Sequence, residues 1–127
     1  MKYLLDTHTF IWGCEESDRL SETAKRIIND ADDLKHFSIA SVWEFSIKLS
    51  LKKLRFEGGL PRLFSIITKY GLTILPIKEA YLENVINMPF FHRDPFDRML
   101  IATAKADGMT ILTADENIQK YDVSTLW

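Results

Sequence analysis

Four carboxylates stand where predicted strands end or predicted helices begin, although they lie far apart along the chain: Asp6, Glu44, Asp97 and Asp115. Carboxylates that are brought together repel one another, and some of them take up protons unless a cation is bound. Mg²⁺ and Mn²⁺ prefer oxygen ligands and keep several waters free for a substrate. Two such ions can stabilise both the attacking and the leaving oxygen of a phosphodiester. The residue types therefore predict a divalent-metal site for phosphodiester hydrolysis.

The elements that must position these acids alternate between helices and short apolar strands. Strands are predicted at Lys2–Leu5, His36–Ile39, Leu72–Leu75 and Met109–Leu112, with a last strand near Val123. Helices are predicted at Ser21–Ala31, Ser41–Leu54, Leu60–Tyr70, Lys78–Asn87 and Asp94–Asp107, with a short helix after Asp115. Two similar segments, Tyr70–Leu75 and Asp107–Leu112, each join a helix end, a glycine cap and a buried strand. This alternation predicts a parallel sheet with helices on both faces.

The predicted sheet gives the four acids a common edge. Ligands of parallel sheets bind beyond the carboxyl ends of the strands, because all strands point the same way and the helices run back. Asp6 and Asp115 each follow a predicted strand. Glu44 and Asp97 are predicted in the first turns of helices that begin at the same edge. The four acids are therefore expected on that edge, and their convergence on one point depends on the strand order.

Most of the acids also have a structural interpretation as helix caps when they are taken singly. Ser41 and Glu44 have the spacing of a capping box. Asp94 precedes a proline at a helix start, and Asp97 suits the positive end of the same helix. Asp115 could cap the short helix that follows it. The capping interpretation and the metal-site interpretation are both open for each of these residues alone.

Asp6 is the acid that capping explains least readily, because Thr7 beside it would serve as well. Caps also scatter over both edges of a sheet, whereas these four acids are predicted to share one. The set as a whole therefore favours a site over a collection of caps.

Basic residues near the acids have two interpretations each. Lys48 lies four residues after Glu44, so the two side chains share a helix face. A surface ion pair is the plain interpretation, whereas the functional one places Lys48 beside the metals, where it steadies a phosphate or a carboxylate. Further basic residues could follow an RNA backbone or simply be solvated: Lys52, Lys53, Arg55, Arg93 and Arg98.

Histidine and aromatic side chains are given structural interpretations first. His8 and His92 lie beside Asp6 and Asp97, but their spacing lacks the regularity of zinc ligands, so hydrogen bonding near the site is preferred. Three aromatic residues could stack bases, although such residues are more often core: Phe90, Phe91 and Phe96. Tryptophans that could serve an interface are Trp12, Trp43 and Trp127.

Composition sets limits on the kind of protein. The chain has 127 residues, 46% of them hydrophobic and 27% charged, which predicts one globular domain over residues 1–127. Cys14 is the only cysteine, and no segment has the pattern of a signal peptide or a membrane span, so a cytoplasmic protein without membrane contact is expected. The net charge of −2 is unusual for a nucleic-acid binder, but bound dications would reverse the charge locally.

Four stretches of the chain resemble the PIN-domain ribonucleases, in particular the VapC-type toxins of type II toxin–antitoxin pairs. They are LLDTHTFIW, SIASVWEFSIKLSLKKL, HRDPFDRMLIATAKADG and TILTADENIQKY, in family order along nearly the whole chain. The resemblance implies a three-layer α/β/α sandwich with a central parallel sheet. It also implies that the family's acidic residues fall on Asp6, Glu44, Asp97 and Asp115. Thr113 matches a hydroxyl residue of the family pattern, and Asp94 is an additional acid whose role is open.

The resemblance further implies an activity and partners. These are an endoribonuclease that depends on Mg²⁺ or Mn²⁺, a homodimer, and a cognate antitoxin that blocks the site. The expected function is therefore that of a toxin that hydrolyses RNA and so inhibits translation and growth. The alternatives are a non-catalytic PIN-like module that binds RNA or protein, a DNA nuclease of related fold, and a phosphoacceptor receiver domain. A receiver domain is disfavoured because it needs a late lysine, whereas Thr113 follows the late strand here.

Overall fold

Five parallel strands form one sheet in the computed structural model, which describes residues 1–127. The strands are β1 (Lys2–Leu5), β2 (Leu34–Ser38), β3 (Thr73–Leu75), β4 (Thr110–Leu112) and β5 (Thr125–Leu126). Their order across the sheet is β3-β2-β1-β4-β5. The chain therefore adds β2 and β3 on one side of β1, and then β4 and β5 on the other side. The boundary between β1 and β4 is therefore the switch point of the topology, where parallel sheets open a crevice at the carboxyl edge.

Seven helices connect the strands. They are α1 (Thr7–Cys14), α2 (Glu22–Asn29), α3 (Ile39–Ser50), α4 (Gly59–Lys69), α5 (Glu79–Asn87), α6 (Pro95–Asp107) and α7 (Glu116–Gln119). None of these helices has the length and the apolar composition that a membrane crossing requires.

Apolar side chains cover both faces of the sheet. Tyr3 and Leu5 of β1 belong to one buried cluster, which α1, α2, α3 and α4 complete. Leu4 points the opposite way into a second cluster, which α5, α6 and α7 complete. This alternation follows from the two-residue period of a strand that is buried on both faces. The predicted three-layer α/β/α sandwich with a central parallel sheet is confirmed.

The start of α3 differs from the sequence-based prediction. β2 ends at Ser38, and the same residue caps α3 by accepting a hydrogen bond from the Ala40 amide at 3.0 Å. The capping box predicted for Ser41 and Glu44 is therefore wrong. Ser41 lies inside the helix, where its buried hydroxyl has no hydrogen-bond partner. Glu44 consequently lies in the second turn of α3 instead of the first.

Glycines end the two helices that lead into β3 and β4, as predicted. Gly71 and Gly108 have φ values of +68° and +64°, a conformation that a side chain at Cβ disfavours. Immediately after each glycine, the backbone amide bonds back into the helix, from Leu72 to Ile67 and from Met109 to Ala104. Each helix therefore turns directly into a strand and places its own N-terminus at the opposite, carboxyl edge of the sheet.

Candidate functional site

Asp6 lies at the switch point, where β1 ends beside β4. It is the N-cap of α1, because its Oδ1 accepts the Thr9 amide at 2.7 Å, so the acid that capping explained least readily from the sequence does cap a helix that starts at Thr7. The other carboxylate oxygen, Oδ2, accepts a hydrogen bond from the Thr113 hydroxyl. Burial raises the pKa of Asp6, although the hydrogen bonds from Thr113 and Thr9 oppose this effect.

Thr113 joins two of the predicted acids. Its hydroxyl donates to Asp6 and accepts the backbone amide of Asp115 at 3.0 Å, and the side chain is fully buried. Asp115 in turn caps α7, with its Oδ1 accepting the Asn117 amide at 2.8 Å. The loop after β4 is thereby held against the end of β1, with Asp6 and Asp115 on the same side.

Glu44 reaches the same edge from the second turn of α3. Its Oε1 accepts the Thr7 hydroxyl at 2.6 Å, and its Oε2 pairs with Lys48 Nζ at 2.9 Å. The carboxylate is buried, whereas the lysine is partly exposed. The predicted pairing of Glu44 with Lys48 is present. Thr7 was not singled out from the sequence, although a hydroxyl directly after a strand-end aspartate is a signal that could have identified it.

Asp97 occupies the first turn of α6, as predicted, and Asp94 caps that helix by accepting the amides of Phe96 and Asp97. The Oδ2 atom of Asp97 lies 3.2 Å from His92 Nε2. Burial raises the pKa of Asp97 to about 7, with further contributions from the carboxylates of Asp94, Asp115 and Glu44, while the contact with His92 lowers it. The negative charges of these three neighbouring carboxylates therefore make the ionisation of Asp97 less favourable.

A chain of hydrogen bonds extends from Asp97 into the protein. The hydroxyl of Tyr121 lies 2.8 Å from His92 Nδ1 and accepts a hydrogen bond from Arg98 Nη1 at 3.1 Å. The same hydroxyl accepts the His92 amide at 3.2 Å, and its own proton can go to His92 Nδ1 or to the His92 carbonyl, which lies 3.3 Å away. These contacts connect Asp97 through the His92 ring to Tyr121 and Arg98. Tyr121 is the last residue of the stretch TILTADENIQKY that carries the resemblance, but it was not singled out from the sequence.

Arg98 is a buried structural residue. The residue is 4% exposed, and its guanidinium donates to the carbonyls of Pro89 and Val85 while lying 3.9 Å from the ring centroid of Phe90. The prediction that Arg98 could follow an RNA backbone is therefore wrong. Its connection to the acids is indirect, through Tyr121 and His92.

Several other residues from the sequence-based set are exposed. Lys52, Lys53 and Arg55 are solvated at the end of α3. Phe90 and Phe91 are 73% and 52% exposed, so the preference for a core role is wrong for them. Phe96 packs edge-on against Trp43, with ring centroids 5.4 Å apart, and Trp43 is 61% exposed.

The four predicted acids thus share one edge of the sheet, but they do not form a closed cage. No three ligating side chains lie close enough together to enclose a metal ion in their present positions. The donor set still fits a hard divalent cation, because Mg²⁺ is usually held through one or two carboxylates and keeps several waters. Lys48 and His92 are the only basic side chains paired with these acids, so negative charge remains in excess. Burial is the main cause of the raised pKa of Asp97, and this excess of negative charge adds to it.

A cavity of about 300 Å³ opens beside the acids. It is lined by Asp6, His8, Trp12, Arg19, Ala114 and Asp115. Asp6 and Asp115 therefore belong both to the acidic edge and to the wall of this cavity.

Comparisons with known proteins agree with this fold. Ribonuclease VapC22 of Mycobacterium tuberculosis is 27% identical over 121 residues, which cover 93% of this chain and 90% of that protein. The structure of VapBC2 from Rickettsia felis, bound to a DNA fragment from their promoter, is 12% identical with a TM-score of 0.72 and covers 99% of this chain and 98% of that chain. A toxin-antitoxin complex from Klebsiella pneumoniae is 15% identical with a TM-score of 0.67, and the match covers 99% of this chain and 97% of that chain.

A family model also matches nearly the whole chain. The model of the PIN domain matches residues 3–124, a range that begins within β1 and includes all four acids. The chain therefore belongs to the PIN-domain family.

Proposed function

We propose that this chain is an endoribonuclease that hydrolyses RNA phosphodiester bonds with bound Mg²⁺ or Mn²⁺, and that it acts as the toxin of a toxin–antitoxin pair. The observation that carries this proposal is the group of acids at the switch point, where Asp97 has its pKa raised to about 7 by burial and by Asp94, Asp115 and Glu44. Such a site favours either protons or a divalent cation. The relation to Ribonuclease VapC22 supports RNA as the substrate class.

In this proposal Asp6, Glu44, Asp97 and Asp115 hold the metal ions. When bound, the cation supplies a water of lowered pKa and neutralises charge on the phosphate. The protein's own contribution is to orient the oxygen ligands before the substrate arrives. Thr113 fixes the Asp6 carboxylate through its hydrogen bond to Oδ2.

Neighbouring residues orient the other two acids. Thr7 and Lys48 hold the two oxygens of Glu44, and His92 holds one oxygen of Asp97. Asp94 is assigned to capping α6 and to keeping Asp97 at the edge, because its Oδ1 accepts two backbone amides. Each of these contacts restricts a carboxylate to one orientation, which reduces the reorganisation needed when a cation binds.

We also propose that a cognate antitoxin binds this chain and that the chain forms a homodimer. Support for the antitoxin comes from the toxin–antitoxin complex of Klebsiella pneumoniae, which shares the fold along nearly the whole chain. An antitoxin would act by covering the acidic edge.

The test is a cleavage assay on several single-stranded and structured RNAs with Mn²⁺, comparing the wild type with Asp97→Asn. We expect cleavage by the wild type and a loss of at least about 100-fold in the variant, since a ligand carboxylate is lost. Asp32→Asn is the matched control, because Asp32 is exposed and lies before β2, at the opposite edge of the sheet. Matched DNA strands in the same assay separate a ribonuclease from a DNA nuclease.

Equal inertness of the wild type and Asp97→Asn on all RNAs would contradict the enzymatic proposal. If such a protein still bound RNA or a protein partner, the non-catalytic binding module would replace it.

A further inference from the structure

We propose that the cavity beside Asp6 and Asp115 binds one nucleobase of a single-stranded RNA, stacked on the indole of Trp12. This inference rests on the proposed function, because it assigns a substrate subsite to the same edge. The cavity measures about 300 Å³, which is at the lower end of the range for sites that enclose a small ligand. Its two hydrophobic lining residues are Trp12 and Ala114, so the indole is the one large apolar ring on its wall, which suits a flat aromatic ligand.

The Trp12 indole packs against two neighbouring rings. It lies in the last turn of α1, half-buried, and the Trp127 ring packs against it edge-on with centroids 5.8 Å apart. The His8 ring lies 6.1 Å away, tilted by 34°. An indole fixed in this way loses little conformational freedom when a base stacks on it, which favours binding.

The rim of the cavity carries unpaired positive charge. The Arg19 guanidinium carbon lies over the Trp12 ring, 5.8 Å from its centroid, and this side chain has no carboxylate partner in the structure. A base that stacks on this face of the indole therefore displaces the arginine or stacks between the two groups. His8 is exposed on the same cavity wall. Both side chains are free to donate hydrogen bonds to a base edge or to a phosphate oxygen. Aromatic platforms flanked by basic side chains are the general means by which proteins bind single-stranded nucleic acid.

The location of the cavity next to two of the acids indicates which class of ligand it binds. Asp6 and Asp115 form one wall, so any occupant is contiguous with the group on which those acids act. Under the proposed function that group is a phosphodiester, and the moiety attached next to a phosphodiester is a nucleoside. A side chain of a protein partner could also fill an apolar space, but the cationic rim and the adjoining acids favour a nucleotide.

The experiment measures the dependence of binding on the base in the Asp97→Asn variant, whose cavity residues are unchanged. Fluorescence anisotropy compares a labelled short oligoadenylate with an abasic RNA strand of the same length, both with Mg²⁺. We expect Trp12→Leu to weaken oligoadenylate binding between roughly five- and 150-fold and to leave abasic binding unchanged. Trp12→Phe, which keeps a ring, should retain most of the preference for the oligoadenylate.

Trp43→Leu is the matched control, because Trp43 is an exposed tryptophan near the acids that does not line the cavity. Its preference for the oligoadenylate should equal that of the Asp97→Asn background. Thermal melting of every variant identifies loss of fold, and Trp12→Met, a second variant without a ring, keeps the test valid if Trp12→Leu is unstable.

An unchanged preference in a folded variant without a ring, Trp12→Leu or Trp12→Met, overturns the inference, and so does a loss of preference in Trp43→Leu alone. A partner's side chain would then be the better occupant of the cavity. The outcome is independent of the cleavage assay on the wild type. A protein that cleaves RNA without base-dependent binding refutes only the subsite, whereas base-dependent binding without cleavage refutes only the enzymatic proposal.

Discussion

Asp97 is the residue of the site whose ionisation depends most visibly on its surroundings. Its carboxyl would have a pKa near 3.8 in the unfolded chain, whereas burial and three neighbouring carboxylates raise the pKa to about 7 in the folded protein. The folded state therefore binds a proton more tightly than the unfolded state does. Folding and the ionisation of Asp97 oppose each other as long as no cation is bound.

This opposition predicts the pH dependence of stability in the metal-free protein. A raised carboxyl pKa contributes stability that is complete below about pH 4 and is lost as the pH rises through about 7. We expect the free energy of unfolding to fall by roughly 1–3 kcal/mol across that range. Urea denaturation in EDTA, repeated at several pH values, measures the effect.

Asp97→Asn is the control for this titration, since an amide cannot ionise. Its stability should depend less on pH, and the slope that remains should come partly from Asp6, whose pKa is also raised by burial. A wild-type protein that became more stable between about pH 4 and pH 7 would show that the charge balance at this edge has been misjudged.

Residues differed in how far their roles could be predicted from the sequence. Asp6 and Asp115 were predictable because each follows an apolar strand, and strand ends define the edge. Arg98 was assigned wrongly because its burial depends on Tyr121 and on the carbonyls of Val85 in α5 and of Pro89 just after that helix. Contacts between segments far apart in the chain are not visible in local spacing, so the role of Tyr121 was missed although it ends the stretch TILTADENIQKY.

At the scale of elements, Thr113 connects the loop after β4 with the start of α1. Its hydroxyl is the single group that contacts both the Asp6 carboxylate and the Asp115 amide. The side chain is also fully buried, so water cannot replace either hydrogen bond. The relative position of two acids thus depends on one hydroxyl.

Thr113→Val replaces this hydroxyl with a methyl group of similar size. We expect a loss of about 1–3 kcal/mol in the free energy of unfolding, because a buried amide and a carboxylate each lose a partner. Mn²⁺ affinity, measured by calorimetry, should fall about 10- to 100-fold. Thr113→Ser should restore both quantities, and Thr73→Val on the exposed side of β3 is the matched control. Unchanged Mn²⁺ affinity in Thr113→Val would separate Thr113 from the proposed metal site.

Element boundaries followed the local sequence well where a glycine or a proline fixed them. Gly108 ended α6 and Pro95 began it, as predicted. The start of α3 was missed because β2 passes into the helix at Ser38 with no loop between them, and no turn residue marks such a junction. The error moved Glu44 by one turn of the helix but left it on the correct edge.

At the scale of the whole molecule, the topology forms a crevice for a substrate, whereas the charge of the protein is unfavourable for an anionic substrate. The net charge of −2 repels a polyanion, and the side chains at the crevice are mostly carboxylates and not basic groups. The strand order that creates this crevice could not be derived from the sequence, because the apolar strands carry no information about their neighbours. Convergence of the acids therefore remained an inference until the sheet was known.

The charge balance predicts that RNA binding depends on divalent cations. Removing Mg²⁺ with EDTA should weaken the binding of a labelled single-stranded RNA to Asp97→Asn by at least about tenfold, because uncompensated carboxylates then face the phosphates. Potassium chloride added to equal ionic strength is the control, since general screening alone would strengthen or preserve binding between like charges. Equal affinity with and without Mg²⁺ would argue that RNA approaches a different surface.

Asp6, Asp94 and Asp115 are N-caps as well as members of the acidic edge. During evolution such a domain cannot lose these carboxylates to small apolar residues without also fraying the helices that they begin. Asparagine and serine preserve the cap while removing the charge. An inactive descendant of this protein should therefore carry asparagine or serine at positions 6 and 115, while Asp94, which is assigned only to capping, can stay unchanged.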